Sequence, residues 1–254
     1  MAEAARSLLS PLPFAGFTGR DVRVAIIDSG VHPDHPHVDA TRIGAGVLVM
    51  PDGTIEEGPD ATLDRMGHGT AVTAALQEKA PEALCVPVRV FRESLKTSAA
   101  ALIAAIRWSI HDGADIINLS LGSPNAAHGA AFTAVADEAT QAGVLLVAAR
   151  EANDAPCYPG ILPQVLGVTL DWDCPRDRYG AASQDGLPAL SASGYPRPIP
   201  GVPLQRNLYG ISFAVAQMSG FAALACEAAG PDRDPQRPDR IRQALLREAP
   251  PSTR

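Results

Sequence analysis

VRVAIID, residues 22–28, is a run of mostly β-branched apolar residues, interrupted only by Arg23 near its start and closed by an aspartate. Such a run fits a strand buried on both faces rather than one with a wet side. GVLVM (46–50), LCVPVRVF (84–91), DIINLSL (115–121), GVLLVAA (143–149) and QVLGVTL (164–170) repeat the pattern. Between them lie Ala-rich stretches at 69–80, 97–112 and 126–142. In the second, Leu102, Ile103, Ile106 and Ile110 fall on one helical face. Strands alternating with helices of this length predict βαβ crossovers and an α/β fold, with a mostly parallel central sheet and helices on both faces.

Farther on, ISFAVAQMSGFAALACEAA (211–229) is apolar nearly all round and predicts a buried central helix, ended by Gly230 and Pro231. A loop over 231–238 follows, and Asp239 is expected to cap a last amphipathic helix through Leu246. No linker or repeat interrupts the chain. It reads as one domain over 1–254, with an N-terminal extension at 1–15 and a C-terminal loop and helix at 231–254.

The 254 residues are 46% hydrophobic and 19% charged with a net charge of -7, which argues against a disordered chain. Without a basic cluster, an acidic chain predicts no nucleic-acid partner. No unbroken apolar run reaches the roughly 18 residues of a membrane span, so no membrane partner is expected. MAEAARSLLSPLPFAG (1–16) lacks the charged start and apolar core of a secretory signal, which predicts a cytoplasmic protein with reduced thiols. Cys85, Cys157, Cys174 and Cys226 have no C-x-x-C spacing and are expected to be free, a Cys157–Cys174 bridge being the residual alternative.

In open parallel sheets, ligands bind beyond the carboxyl ends of the strands. Asp28 ends the first run there, Asn118 and Ser120 the fourth, and Arg150, Glu151 and Asn153 follow the fifth. Two segments open helices: GHGT (67–70) and GISFA (210–214). A serine hydroxyl becomes a nucleophile only with a base to take its proton and a partner to fix that base's tautomer. Ser212, His68 and Asp28 supply the three residue types.

VRVAIIDSGVHPDHP, DRMGHGTAV and GISFAVAQMSG, in this order, resemble the Asp, His and Ser segments of the subtilisin-like serine proteases. INLSLG (117–122) and LLVAA (145–149) resemble the family's cleft strands. The resemblance covers roughly residues 16–248. It implies a three-layer subtilisin-like fold and a serine endopeptidase, a hydrolase of peptide or protein substrates. In it Ser212 attacks, His68 moves the proton and Asp28 orients the imidazole. The Ser212 backbone N–H would hold the oxyanion, Leu119, Ser120, Leu121 and Gly122 would pair with an extended substrate, and Val147, Ala148 and Ala149 would wall a side-chain pocket.

Departures from the family pattern are informative. The second oxyanion donor is ordinarily an Asn after the fifth strand; here the stretch is AAREAND. One register places Ala152 at that position, a shorter one Glu151, with Asn153 one step further. Ile211 stands for the usual Thr and Ala216 for the usual Pro. QEKAPEAL (77–84) runs straight to the next strand, omitting the loop that carries the family's tight calcium site, and the family's prodomain is not in this chain. No cofactor and no metal are expected. His32, His35 and His37 in VHPDHPHV read as a structural loop rather than a metal site, and His128 as solvated. The altered oxyanion region suits removal of a leader from a precursor peptide. The competing reading is a pseudoprotease that binds extended peptides without cutting them. A lipase-type hydrolase fits less well, because GISFA lacks the second glycine of G-x-S-x-G and the residue order differs.

Overall fold

A computed structural model describes residues 12–58, 60–152, 155–184, 187–203 and 206–249. The chain runs through β1 (Arg23–Asp28), β2 (Val47–Val49), β3 (Ile55–Glu56), α1 (His68–Lys79), β4 (Leu84–Arg89), α2 (Ala99–His111) and β5 (Ile116–Leu119). It continues through α3 (Gly129–Gln141), β6 (Leu145–Ala149), β7 (Glu151–Ala152), β8 (Ala155–Pro156), β9 (Leu166–Leu170), β10 (Gly180–Gln184), β11 (Leu187–Ala192), α4 (Ile211–Ala229) and α5 (Arg237–Glu248).

Nine strands form one sheet in the order β10-β11-β9-β6-β5-β1-β4-β2-β3. Neighbours from β11 to β2 are parallel, and only the outermost strands, β3 and β10, run antiparallel. Alternation along β1 sets the layers. Val24 and Ile26 face a core shared with α1, α4 and α5, while Ala25 and Ile27 face a second core with α2 and α3. Each fully buried Ile or Val contributes about 1.5–3 kcal/mol, so a strand apolar on both sides belongs in the middle. That is where β1 sits, paired to β4 on one side and β5 on the other. The chain fills one half of the sheet from β1 and then the other, so the end of β1 is the point where strand order reverses. Asp28 is its last residue.

At the opposite end of the sheet Asp115 is buried and binds the Arg23 amide (2.8 Å), Arg237 (2.6 Å) and Arg233 (2.7 Å). This ties α5 to the start of β5. Helix α4 packs on β5, β6, β9 and β11 and against α1 and α5, which is why its sequence is apolar all round.

Several expectations are corrected. Helix α5 begins at Arg237, with Pro238 in its first turn and Gln236 at the cap, so Asp239 is an inner first-turn residue. A proline fits there because the first-turn amides need no helical acceptor. Phe14, within the N-terminal extension, packs against the α4 core. The four cysteines are free as expected, and the residual Cys157–Cys174 bridge does not form. His128 is half-buried and hydrogen-bonded to Ser123 Oγ at 2.8 Å rather than solvated. Antiparallel β10–β11 had no counterpart in the sequence reading.

Candidate active site

Asp28 is fully buried, and its Oδ1 accepts the Ser29 N–H at 2.7 Å. The same oxygen lies 2.7 Å from His68 Nδ1. His68 opens α1 with its side chain 12% exposed, and the Phe213 ring leans on it with centroids 5.7 Å apart. Burial pushes the His68 pKa down, but the hydrogen bond and charge of Asp28, joined by the charge of Asp64, outweigh it, so the pKa stands above the ordinary 6.5.

The start of α1 has no side-chain cap, since Gly67 is the cap residue. Asp64 takes over that role from outside the helix. It is 6% exposed, and its Oδ1 accepts Ser29 Oγ (2.9 Å) and the amides of Met66 (2.8 Å) and Gly67 (2.9 Å). Its Oδ2 accepts the amide and the hydroxyl of Thr70. Ser29 Oγ in turn accepts the Gly69 amide at 2.8 Å, linking Asp28's neighbour to His68's. Gly69 allows this approach: a Cβ there would lie 2.2 Å from the Gly30 carbonyl oxygen. Sequence reasoning missed Asp64. Its signal was an acidic residue just ahead of a glycine-capped helix start.

Ser212 is the second residue of α4, following Gly210 at φ 140°. Its amide lies in the first turn, where the positive end of the helix favours developing negative charge. The Ser212 hydroxyl donates to the Ser120 carbonyl at 3.4 Å, and Ser120 Oγ donates to the Ser212 carbonyl at 3.5 Å. Behind them Asn118 Nδ2 donates to Ser120 Oγ (3.1 Å) and Ser219 Oγ donates to Asn118 Oδ1 (2.9 Å). This buried chain fixes the end of β5 against the start of α4.

The remaining expected site residues divide. Ser120 is nearly buried, Leu121 and Gly122 are half-exposed, and Leu119 is core. Ser123 just beyond is already paired with Tyr158 through two backbone bonds of 2.8 and 2.9 Å. Val147, Ala148 and Ala149 are wholly buried and form no free pocket wall. Val147 and Ala148 belong to the two cores, and the segment after β8 covers Ala149: Cys157 Sγ lies 3.2 Å from its carbonyl, and Gly160 packs on the same oxygen. Glu151 and Ala152 lie on β7, paired with β8, and Asn153 lies outside the described residues.

His35 and His37 meet edge-on at 5.2 Å, and the His37 amide donates to His35 Nδ1. Among the described residues no group of three or more His, Cys, Asp or Glu is arranged to hold a metal ion.

The family model described as "Subtilase family" matches residues 19–254. Subtilisin of Bacillus pumilus is 28% identical over 82% of this chain and 78% of that protein. Subtilisin E of Bacillus subtilis (strain 168) is 29% identical over 82% of this chain and 56% of that protein. Among solved structures, the prenylagaramide maturation protease PagA superposes with a TM-score of 0.61 at 28% identity, over 86% of this chain and 81% of that one.

Proposed function

The chain belongs to the subtilase family of serine proteases, and on that premise we propose that Asp28, His68 and Ser212 are its catalytic triad. The observation that carries this is the 2.7 Å contact of Asp28 Oδ1 with His68 Nδ1, buried beside the start of the serine helix. With Nδ1–H held by Asp28, the His68 Nε2 lone pair is left as the base. Ser212 Oγ attacks the scissile carbonyl carbon while its proton passes to Nε2. The tetrahedral oxyanion forms against the Ser212 amide. His68 then gives the proton to the leaving amine, and water releases the acyl group by the same steps in reverse.

A second oxyanion donor is assigned to Asn153, the residue that follows β7 in the sequence. One such preorganised donor is worth on the order of 10²–10³ in turnover. The substrate's acyl side pairs with Ser120–Gly122 by strand addition. We read the biological role as processing of a precursor peptide, supported by the likeness to PagA, a maturation protease. The free cysteines support a reducing, cytoplasmic setting.

The orientation of the Ser212 hydroxyl toward Ser120 favours the competing reading, a peptide-binding pseudoprotease. A fluorophosphonate probe separates the two. Covalent labelling mapped to Ser212, abolished in His68→Ala, supports the protease; a wild-type chain that neither labels nor cleaves any peptide overturns it.

A further inference from the structure

One of the two tryptophans and two of the four tyrosines meet on a single surface patch, too close a grouping for stray exposed residues. The Trp172 ring lies 5.1 Å from Tyr195 and 6.0 Å from Tyr209, centroid to centroid. Trp172 is 44% exposed and Tyr209 62% exposed. Aromatic faces left open to water at this density mark a binding surface.

The base under these rings is rigid. The Gly194 position has room for no side chain: a Cβ would lie 2.6 Å from the Trp172 ring. Its carbonyl accepts the Gly210 amide at 2.9 Å. Gln217, buried in α4, donates to the carbonyls of Ser193 (2.7 Å) and Tyr195 (3.2 Å), and Arg176 Nε donates to the latter at 3.1 Å. The patch is therefore bolted to the helix that carries Ser212, and Tyr209 precedes that serine by one helical turn's length of chain.

Ser120–Gly122 approach Ser212 from the β5 side. The aromatic patch approaches through Gly210, from the side of β9 and β11. A substrate laid along residues 120–122, just beyond β5, and crossing the start of α4 runs onto the patch with the residues that follow the scissile bond. We propose that Trp172, Tyr195 and Tyr209 form a platform for an aromatic or large apolar side chain at the first or second substrate position after the cut. This rests on the protease reading above and adds a substrate class to it.

The test compares two peptides identical except for Phe or Gly at those two positions. Wild type is expected to favour the Phe peptide at least about tenfold in kcat/KM. Trp172→Ala and Tyr209→Ala should each bring the ratio near one, and Trp172→Phe should keep most of it. Tyr209 is the more exposed, so its variant carries the test if Trp172→Ala does not fold. A wild-type ratio of one, or a ratio unchanged in both Ala variants, overturns the platform. Failure of the protease reading shows itself separately, as a wild-type chain that neither labels at Ser212 nor cuts. In that case tighter binding of the Phe peptide to Ser212→Ala, read as a Trp172 fluorescence change absent in Trp172→Phe, supports the platform, and equal binding overturns it. A dimer that Tyr209→Ala dissolves would assign the patch to a second copy of the chain instead and also overturn it.

Discussion

Asp64 Oδ2 accepts both the amide (2.9 Å) and the hydroxyl (2.6 Å) of Thr70, so one buried carboxylate fixes the first turn of the helix that begins with His68. Arg89 lies within reach of the Asp64 charge, and Asp28 is the other acid acting on His68. Asp64→Asn keeps the size but turns one acceptor oxygen into a donor facing donors. Leaving buried groups unpaired costs about 1–3 kcal/mol each, so a loss near 3 kcal/mol in urea unfolding is expected. Removing the charge also lowers the His68 pKa, so the acid limb of the rate profile should move to lower pH. A destabilised variant with an unmoved limb would confine Asp64 to a structural role.

Single alanine variants of Asp28, His68 and Ser212 should each remove nearly all peptidase activity, and double variants should lose little more. Groups acting as a unit are not additive. Near wild-type hydrolysis in Ser212→Ala would sink the assignment.

The pH dependence follows from His68. Only its neutral form accepts the Ser212 proton, and its pKa lies above 6.5, so kcat/KM should climb through an apparent value above 6.5 and then level. Stability runs the other way. A raised folded-state pKa means that the charged His68–Asp28 pair stabilises the fold fully below 6.5, a contribution lost as pH rises through the folded value. A rate maximum near pH 4 would point to carboxylate chemistry.

A chelator should move the melting temperature by no more than about 2 °C, the scale of a few tenths up to about 1 kcal/mol in a domain of this size. Helix α1 ends at Lys79 and the chain enters β4 at Leu84, leaving a short turn stiffened by Pro81. A hard cation such as Ca²⁺ needs six to eight oxygen ligands. A drop of ten degrees with EGTA, reversed by calcium, would reveal a site this reading missed.

The parallel core was legible because its strands are continuous apolar runs, and helix α4 because no face of it is polar. GAASQ and LPALSA, the strands β10 and β11, carry small residues and a proline, so nothing in their pattern separates them from loop; the sheet edge supplies the pairing. The Asp28–His68 contact followed from motif order, which strand topology turns into proximity. Pocket residues were less legible. The run that makes Val147–Ala149 a strand also makes them core, and the Ala149 carbonyl is covered by Cys157 and Gly160 in the segment after β8, whose path no local pattern records. Asp64 was hidden because three of its five partners are backbone amides and the other two are the hydroxyls of Ser29 and Thr70, brought to it only by the fold around the start of α1.

Helix α4 brings Ser212 to Ser120 across 92 residues of chain and packs on four strands that precede it. During synthesis, Asp28 and His68 therefore emerge long before the nucleophile has a surface to dock on. Contacts this far apart in sequence form late in folding. With the proposed triad, a nascent or half-folded chain would carry the base without the attacking group, and peptidase activity should switch on in step with the final closure of the core, sparing the chain and its neighbours from premature cutting.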